Sequence, residues 1–180
     1  MNQYIEEFPL FFQTGIPSNI LFPSLAVACI ALVFVLWRNK KNEIYRSICW
    51  ILLAEYIFVV ICSTIVCRVQ LSTPKIQMLP FWTYRAVINH TLGVSVWDII
   101  LNTFLFVPLG LFVSLLNQKM PIRTIALIGL LLSISIETSQ YIWMKGICQF
   151  DDLMHNTIGC VLGCFLVRLS KKLRRKRINI

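Results

Sequence analysis

Five stretches of this chain are each long enough and apolar enough to cross a bilayer as a helix, which takes about 20 residues for roughly 30 Å of hydrocarbon. Because no backbone polar group can stay unpaired inside a bilayer, such stretches fold as spanning helices. The sequence therefore predicts an all-α fold: a polytopic integral membrane helical bundle with about five transmembrane helices. The predicted spans run approximately over 20–37, 48–67, 99–116, 125–142 and 153–169.

The composition excludes the soluble and disulfide-rich classes. Of the 180 residues, 57% are hydrophobic and only 14% are charged, whereas a soluble domain carries about 25% charge. The cysteines fall mostly inside apolar stretches, which is atypical of a disulfide scaffold. The first basic residue is Arg38, so the N-terminus lacks the basic start of a signal peptide and we expect it to stay in the mature chain. Residues 1–180, without internal repeats, are predicted to form a single membrane domain.

Basic residues indicate which way the helices cross. Lys and Arg accumulate in short cytoplasmic loops, and with the N-terminus outside, most of the 17 basic residues fall on the cytoplasmic side. The bias predicts an outside N-terminus and an inside C-terminus, with 168–180 as a basic cytoplasmic tail. Contact of this tail with anionic lipids accounts for the net charge of +9. We therefore expect membrane lipids as partners and no nucleic acid. In this orientation, the basic residues that fall on the outer side are Arg68, Lys75, Arg85 and Lys145.

Three of the predicted spans carry a carboxylate and an amide at their outer ends. A charged side chain costs at least about 2.5 kcal/mol at the centre of a membrane, so a polar group inside a span is a candidate for function. The spacing within each pair, three or four residues, places both side chains on one helix face. The sequence therefore predicts a polar cluster at one outer rim. The pairs are Asp98 with Asn102, Glu137 with Gln140, and Asp152 with Asn156.

Simpler interpretations of these side chains stay open. Amides alone are typical of hydrogen bonds between membrane helices, worth about 0.6 to 2 kcal/mol each. Asp98 and Asp151 could be wet caps at helix N-termini, where the helix dipole favours an acidic residue. Glu55 lies alone in the second span and is either neutral and hydrogen-bonded to another helix or functional. The carboxylates of Glu137, Asp151 and Asp152 favour a site, because neighbouring carboxylates repel, titrate abnormally or bind a cation.

Short connections predict how the last three spans are arranged. The connections 117–121 and 143–150 are expected to make spans three and four, and spans four and five, antiparallel neighbours in a trio. A GxxxG pattern in the fifth span lets another backbone approach closely, and a proline with a nearby glycine could loosen the third span. The residues assigned these structural roles are Pro108, Gly110, Gly159 and Gly163.

Cysteine and histidine give little sign of metal binding. Cys67 and Cys148 are the cysteines predicted near the outer face, and we expect two free thiols there rather than a disulfide. His90 and His155 form no zinc-ligand spacing with the cysteines, so we expect no zinc.

The polar segments together resemble the signature of VanZ-like membrane proteins. They read NTFLFVPLG over 102–110, SIETSQY over 135–141 and DDLMHNTIG over 151–159, preceded by Leu79-Pro80-Phe81. The resemblance covers a core of about 76–167. It departs from the family at His155, where an apolar residue is usual, and in the loop 145–150. The matching positions are Asn102, Pro108, Gly110, Glu137, Gln140, Asp152, Asn156 and Gly159.

The resemblance implies a multi-pass protein of the bacterial plasma membrane, in a family whose named member confers resistance to teicoplanin, a lipoglycopeptide that binds cell-wall precursors outside the membrane. It thereby suggests action at the outer leaflet, in such resistance or in cell-envelope maintenance. The partner would be a lipoglycopeptide or a lipid-linked cell-wall precursor. The residues expected to bind it are Asn102, Glu137, Gln140, Asp152 and Asn156.

The alternative is a membrane-embedded enzyme that modifies a lipid-linked headgroup of the cell envelope. Glu137 or Asp152 would then be the general acid or base, with a pKa raised by burial and by the other charge. No nucleophile paired with a base stands out in the sequence, so no catalytic residue is assigned. No cofactor is expected, although Asp152 and a phosphate could together hold a divalent cation.

Overall fold

The computed structural model of this chain describes residues 41–68, 70–91, 94 and 96–178. The predicted first span, 20–37, lies outside the described residues. The first described helix, α1, continues into a π-helical turn over Cys62–Val66. The other elements, in chain order, are short strands and helices that alternate with the long ones. The bounds are α1 Lys41–Ile61, β1 Lys75–Gln77, α2 Trp82–Ile88, α3 Val96–Leu116, α4 Ile122–Ile142, β2 Ile147–Gln149 and α5 Phe150–Ile178.

Four helical segments of the described chain are long and apolar enough to cross a membrane. They correspond to the second to fifth predicted spans and begin three or four residues before the predicted boundaries. The prediction of an all-α, polytopic helical bundle is confirmed, and the chain is a multi-pass membrane protein. The candidate spans are Ile44–Val66, Val96–Leu116, Ile122–Ile142 and Phe150–Arg174.

Helix α5 lies between α3 and α4 and packs most extensively on α3. Glycines permit this approach: a Cβ added at Gly159 would lie 1.9 Å from the Thr103 carbonyl oxygen, and one at Gly163 would lie 2.0 Å from that of Val107. A Cβ at Gly110 would meet the backbone of α5 in the same way. The GxxxG pattern of α5 therefore lies where this helix approaches α3 most closely. Helices α3 and α4, joined by a short connection, also contact each other, but less extensively than either contacts α5.

Helix α1 also packs against α3, and one of its side chains binds near the proline of that helix. Pro108 has no N–H to give to the carbonyl of Phe104, one turn earlier. The Tyr56 hydroxyl donates to the next carbonyl along, that of Leu105. A side chain of α1 thus binds α3 where the proline interrupts its hydrogen bonding. Around this contact lies the apolar core, whose buried members are Leu53, Val60, Ile65, Phe106, Leu109, Ile125, Ile136, Cys160 and Cys164.

Two connecting segments pair with each other at one end of the bundle. Strands β1 and β2 run parallel in the register Lys75 with Ile147, Ile76 with Cys148 and Gln77 with Gln149. The Lys145 ammonium also donates to the Val66 carbonyl, at 2.9 Å. The sequence did not predict these strands, because three residues are too few to carry an alternating pattern. The pairing holds the α1–α3 connection against the α4–α5 connection.

Candidate functional site

One end of the bundle carries the polar residues predicted to cluster. Helix α1 ends there, α3 begins there, α4 ends there and α5 begins there. We call this end the site end, and the opposite end, with the α3–α4 turn and the C-terminal part of α5, the basic end. All three predicted pairs lie at the site end. We use "polar cluster" below for Arg68, Asn102, Glu137, Gln140, Asp152 and Asn156.

Two amides join the first turns of α5 to its neighbours. The Asn102 side-chain N–H donates to Asp152 Oδ1 at 2.6 Å, which links α3 to α5. One turn along α5, the Asn156 side-chain N–H donates to the Ser133 hydroxyl of α4 at 2.8 Å. Both contacts bridge helices, as expected for amide side chains in a membrane bundle. Ser133 was missed by sequence reasoning, although it lies one turn before Glu137 on the same face of α4.

The predicted pair on α4, Glu137 and Gln140, is almost fully buried. Glu137 is 4% exposed, and its Oε2 accepts the backbone N–H of Gln149 at 2.8 Å. Gln140 is 2% exposed and donates from Nε2 to the Thr64 carbonyl at 2.9 Å, in the π-helical turn. The carboxylate therefore holds the β2 strand, and the amide holds the end of α1. Both side chains fix a connection as well as a helix.

Arg68 is the charged partner that sequence reasoning missed. Its guanidinium is buried, which lowers the pKa of Arg68, while the nearby carboxylates of Asp152, Glu137 and Asp98 raise it. Gly146 leaves space for the Arg68 guanidinium, because a Cβ at this position would lie 2.6 Å from a guanidinium nitrogen. The φ of Gly146 is +96°, which also favours glycine. The positive charge of the polar cluster therefore comes from an arginine. A signal was available, because Arg68 directly follows the second predicted span at its outer end.

Asp151 lies in the first turn of α5 but does not form the wet cap that was considered for it. The residue is 2% exposed, and its two oxygens accept the N–H groups of Phe81 and Thr83, each at 2.7 Å. It therefore caps α2, a helix from a distant part of the chain, instead of its own helix. Phe81 has a φ of 60°, a left-handed conformation that costs energy for a residue with a side chain. The carboxylate of Asp151 holds this turn in place.

His155 also binds α2. The Tyr84 hydroxyl and His155 Nε2 are 2.9 Å apart, and the two rings contact each other with centroids 5.5 Å apart. His155 is 1% exposed, whereas Tyr84 is 36% exposed, so the histidine is the buried member of this contact. Together, Asp151 and His155 hold both ends of the segment from Phe81 to Tyr84 against α5.

Buried acceptors remain near the carboxylates. Among the described residues, neither Gln140 Oε1 nor Asn156 Oδ1 has a hydrogen-bond partner, although both atoms are buried. Leaving such an atom unpaired costs about 1–3 kcal/mol. A ligand with N–H or O–H groups is the chemistry that would satisfy them.

Metal and disulfide chemistry find little support within the described residues. Over 41–68, 70–91 and 96–178, no three His, Cys, Asp or Glu side chains gather closely enough to hold a metal ion. Cys67 and Cys148 are both free thiols. Burial, followed by the charges of Glu137 and Asp152, raises the pKa of the Cys148 thiol.

A comparison with protein families identifies the chain. A family model described as VanZ/LLP1 matches residues 47–171, which contain the four described spans almost completely and the whole polar cluster. The chain belongs to the VanZ/LLP1 family. The resemblance predicted from the sequence is thus confirmed. The VanZ/LLP1 match begins inside α1, before the core of about 76–167 that the motifs suggested. No curated protein and no solved structure gives a significant match.

Proposed function

We propose that this VanZ/LLP1 protein acts at the outer leaflet of a bacterial plasma membrane, where the polar cluster binds the headgroup of a lipoglycopeptide of the teicoplanin type or of an envelope lipid. One observation carries the proposal. Side chains from α3, α4, α5 and the segment after α1 converge at one end of the bundle, with charged and amide groups buried among them. Buried charges are costly in a membrane protein and are typical of functional sites.

The outer placement is supported by the distribution of charge. Lys119, Arg123 and the basic C-terminal turns of α5 belong to the basic end, and the Arg168 guanidinium donates to the Met120 carbonyl there. Basic residues concentrate on the cytoplasmic side of membrane proteins. With the basic end inside the cell, the site end faces outward, where cell-wall precursors and lipoglycopeptides meet the membrane.

The chemistry of the polar cluster favours a ligand rich in hydrogen-bond donors. Three carboxylates, those of Asp98, Glu137 and Asp152, interact with one guanidinium, that of Arg68, so the charged groups are acidic on balance. The unpaired amide oxygens add further acceptors. Sugar hydroxyls, peptide N–H groups and ammonium groups are donors of the required kind. A phosphate, which brings only negative charge and acceptors, suits this set less well.

Binding to the headgroup at membrane level would lower the access of a lipoglycopeptide to its target without any covalent step. The test is the binding of fluorescently labelled teicoplanin to intact cells that express the wild-type protein, Glu137→Gln or Asp152→Asn at equal membrane levels. Both changes keep the side-chain shape and remove the charge. Ser135→Ala is the matched control, because the exposed Ser135 hydroxyl donates only within α4, to the Leu131 carbonyl.

We expect the wild-type protein and Ser135→Ala to change the amount of bound teicoplanin relative to cells without the protein, and both charge-removing variants to lose that effect. Equal binding with and without the wild-type protein would contradict the proposal. An effect that survives unchanged in Glu137→Gln and Asp152→Asn would place the activity elsewhere in the molecule.

A second candidate function is an enzyme that modifies a lipid-linked headgroup. It is favoured by the position of two carboxylates, Glu137 and Asp152, on adjacent helices and near the Arg68 guanidinium, since two neighbouring carboxylates can divide the roles of acid and base. Mass spectrometry of membrane lipids and cell-wall precursors after overexpression tests it. A new or depleted species with the wild-type protein, absent with Asp152→Asn, would support catalysis, and identical profiles would refute it.

A further inference from the structure

The short helix α2 has two unlike faces. Thr83 and Ala86, three residues apart, are each only 4% exposed and face the bundle. The opposite face carries Phe81 at 54% and Ile88 at 74% exposure, with the exposed Arg85 beside them. Leu79, in the turn before the helix, is 59% exposed. Large apolar side chains are thus concentrated on the side of this segment that the protein does not cover.

Contacts with α5 fix the depth of this segment relative to the membrane. The candidate span in α5 begins at Phe150. Phe81 and Thr83 bind Asp151 in its first turn, and Tyr84 binds His155, one turn further into the span. A turn of four residues advances about 6 Å along a helix. The segment therefore lies beside the first turns of a spanning helix and not above the end of the bundle.

Lipid is the partner that fits this position. Two exposed tryptophans lie at the same end of the bundle: Trp97 of α3 is 62% exposed and Trp143, just after α4, is 55% exposed. Tryptophans at such positions are typical of the membrane interface. An exposed arginine beside apolar side chains can extend its guanidinium to lipid phosphates. An apolar face with a basic residue is the pattern of helices that lie in the interface plane.

We propose that residues 78–88 form an interfacial shelf, which lies among the lipid headgroups at the site end and contacts lipid through Leu79, Phe81 and Ile88. The shelf is joined to the polar cluster because Asp151, which caps α2, is the chain neighbour of Asp152.

The test measures the depth of single fluorescent reporters in vesicles. An environment-sensitive dye is attached to Leu79→Cys or to Ile88→Cys in full-length protein that carries Cys67→Ser and Cys148→Ser, because these two cysteines lie outside the candidate spans and the other described cysteines are buried within them. Protein without the added cysteine gives the background labelling. Ser72→Cys is the control, since Ser72 is an exposed polar residue of the same connection. Each reporter is quenched in turn by a phosphatidylcholine with a nitroxide near the top of its acyl chain and by aqueous iodide.

If the segment is an interfacial shelf, the nitroxide lipid should quench the reporters at 79 and 88 several-fold more strongly than iodide does. At 72, iodide should quench more strongly than the nitroxide lipid. Iodide quenching at 79 and 88 as strong as at 72 would overturn the proposal, because the segment would then lie in water. Protection from both quenchers would also overturn it, because another protein surface would then cover this face. None of these outcomes depends on whether the polar cluster binds teicoplanin, so the shelf and the proposed function fail separately.

Discussion

Replacing Asp151 should release the α2 segment from the bundle without unfolding the spans. In the wild-type protein, the buried carboxylate accepts two backbone N–H groups, each at 2.7 Å. A hydrogen bond to a charged group contributes about 1.5–3 kcal/mol, so Asp151→Ala loses roughly 3–6 kcal/mol if the segment stays in place. The segment can instead swing outward and give these N–H groups to water. The loss should therefore appear as local opening.

Hydrogen–deuterium exchange measures this opening directly. A factor of ten in an equilibrium corresponds to about 1.4 kcal/mol, so the amides of Phe81 and Thr83 should exchange about 100-fold faster or more in Asp151→Ala, up to the limit of full exposure. Asp151→Asn keeps one acceptor oxygen and should accelerate exchange by roughly 10- to 100-fold. Peptides from α3 and α4 should keep their protection in both variants.

The control is Asn117→Ala, which removes an exposed side-chain acceptor for the Lys119 N–H at the opposite end of the bundle. It should leave exchange at the α2 segment unchanged. If Asp151→Ala exchanges at Phe81 and Thr83 as slowly as the wild-type protein does, the carboxylate does not hold this segment and the reasoning is refuted. Loss of protection throughout the spans would equally contradict a local role.

Two further predictions follow from the packing and from the charge of the site end. Gly159→Ala must move α5 away from α3 by about 1 Å, because the new Cβ would lie 1.9 Å from the Thr103 carbonyl oxygen. The overpacking costs about 1–3 kcal/mol and should lower the unfolding temperature in detergent. Leu162→Ala, at a lipid-facing position, should change the unfolding temperature little, and equal effects of the two variants would contradict the close approach. Glu137→Gln should lower the pKa of the Cys148 thiol, because removing a negative charge favours the thiolate. The pH dependence of Cys148 labelling by N-ethylmaleimide should then shift to lower pH. An unchanged profile would show that the Glu137 charge does not affect the thiol.

The sequence contained enough to place the predicted pairs at one end, because length fixes where a span begins and helical spacing fixes which side chains share a face. Glu137 and Gln140 are an example: both are buried on one side of α4, as their spacing predicts. The close approach of α3 and α5 was likewise visible in Gly159 and Gly163, although the identity of the partner helix was not.

The partners of these side chains could not be predicted, because they come from segments without a periodic signal. Thr64 binds Gln140 through a backbone carbonyl of a π-helical turn, which no side-chain pattern reveals. Tyr84 meets His155 across 71 positions in the chain, and a contact of that range depends on how the connection folds back. A cap of its own helix was one of the interpretations left open for Asp151, because local capping is the commoner use of an acidic residue at that place.

The account's central claim, that the charges of the polar cluster carry the function, is tested most directly by antibiotic susceptibility. Inhibitory concentrations of teicoplanin and vancomycin are measured in a host that expresses wild type, Glu137→Gln, Asp152→Asn or Ser135→Ala, with membrane levels checked on the same cultures. We predict that wild type and Ser135→Ala raise tolerance to teicoplanin alone and that both charge-removing variants abolish the effect. Unchanged teicoplanin susceptibility with the wild-type protein, or full tolerance in Glu137→Gln and Asp152→Asn, would contradict the account.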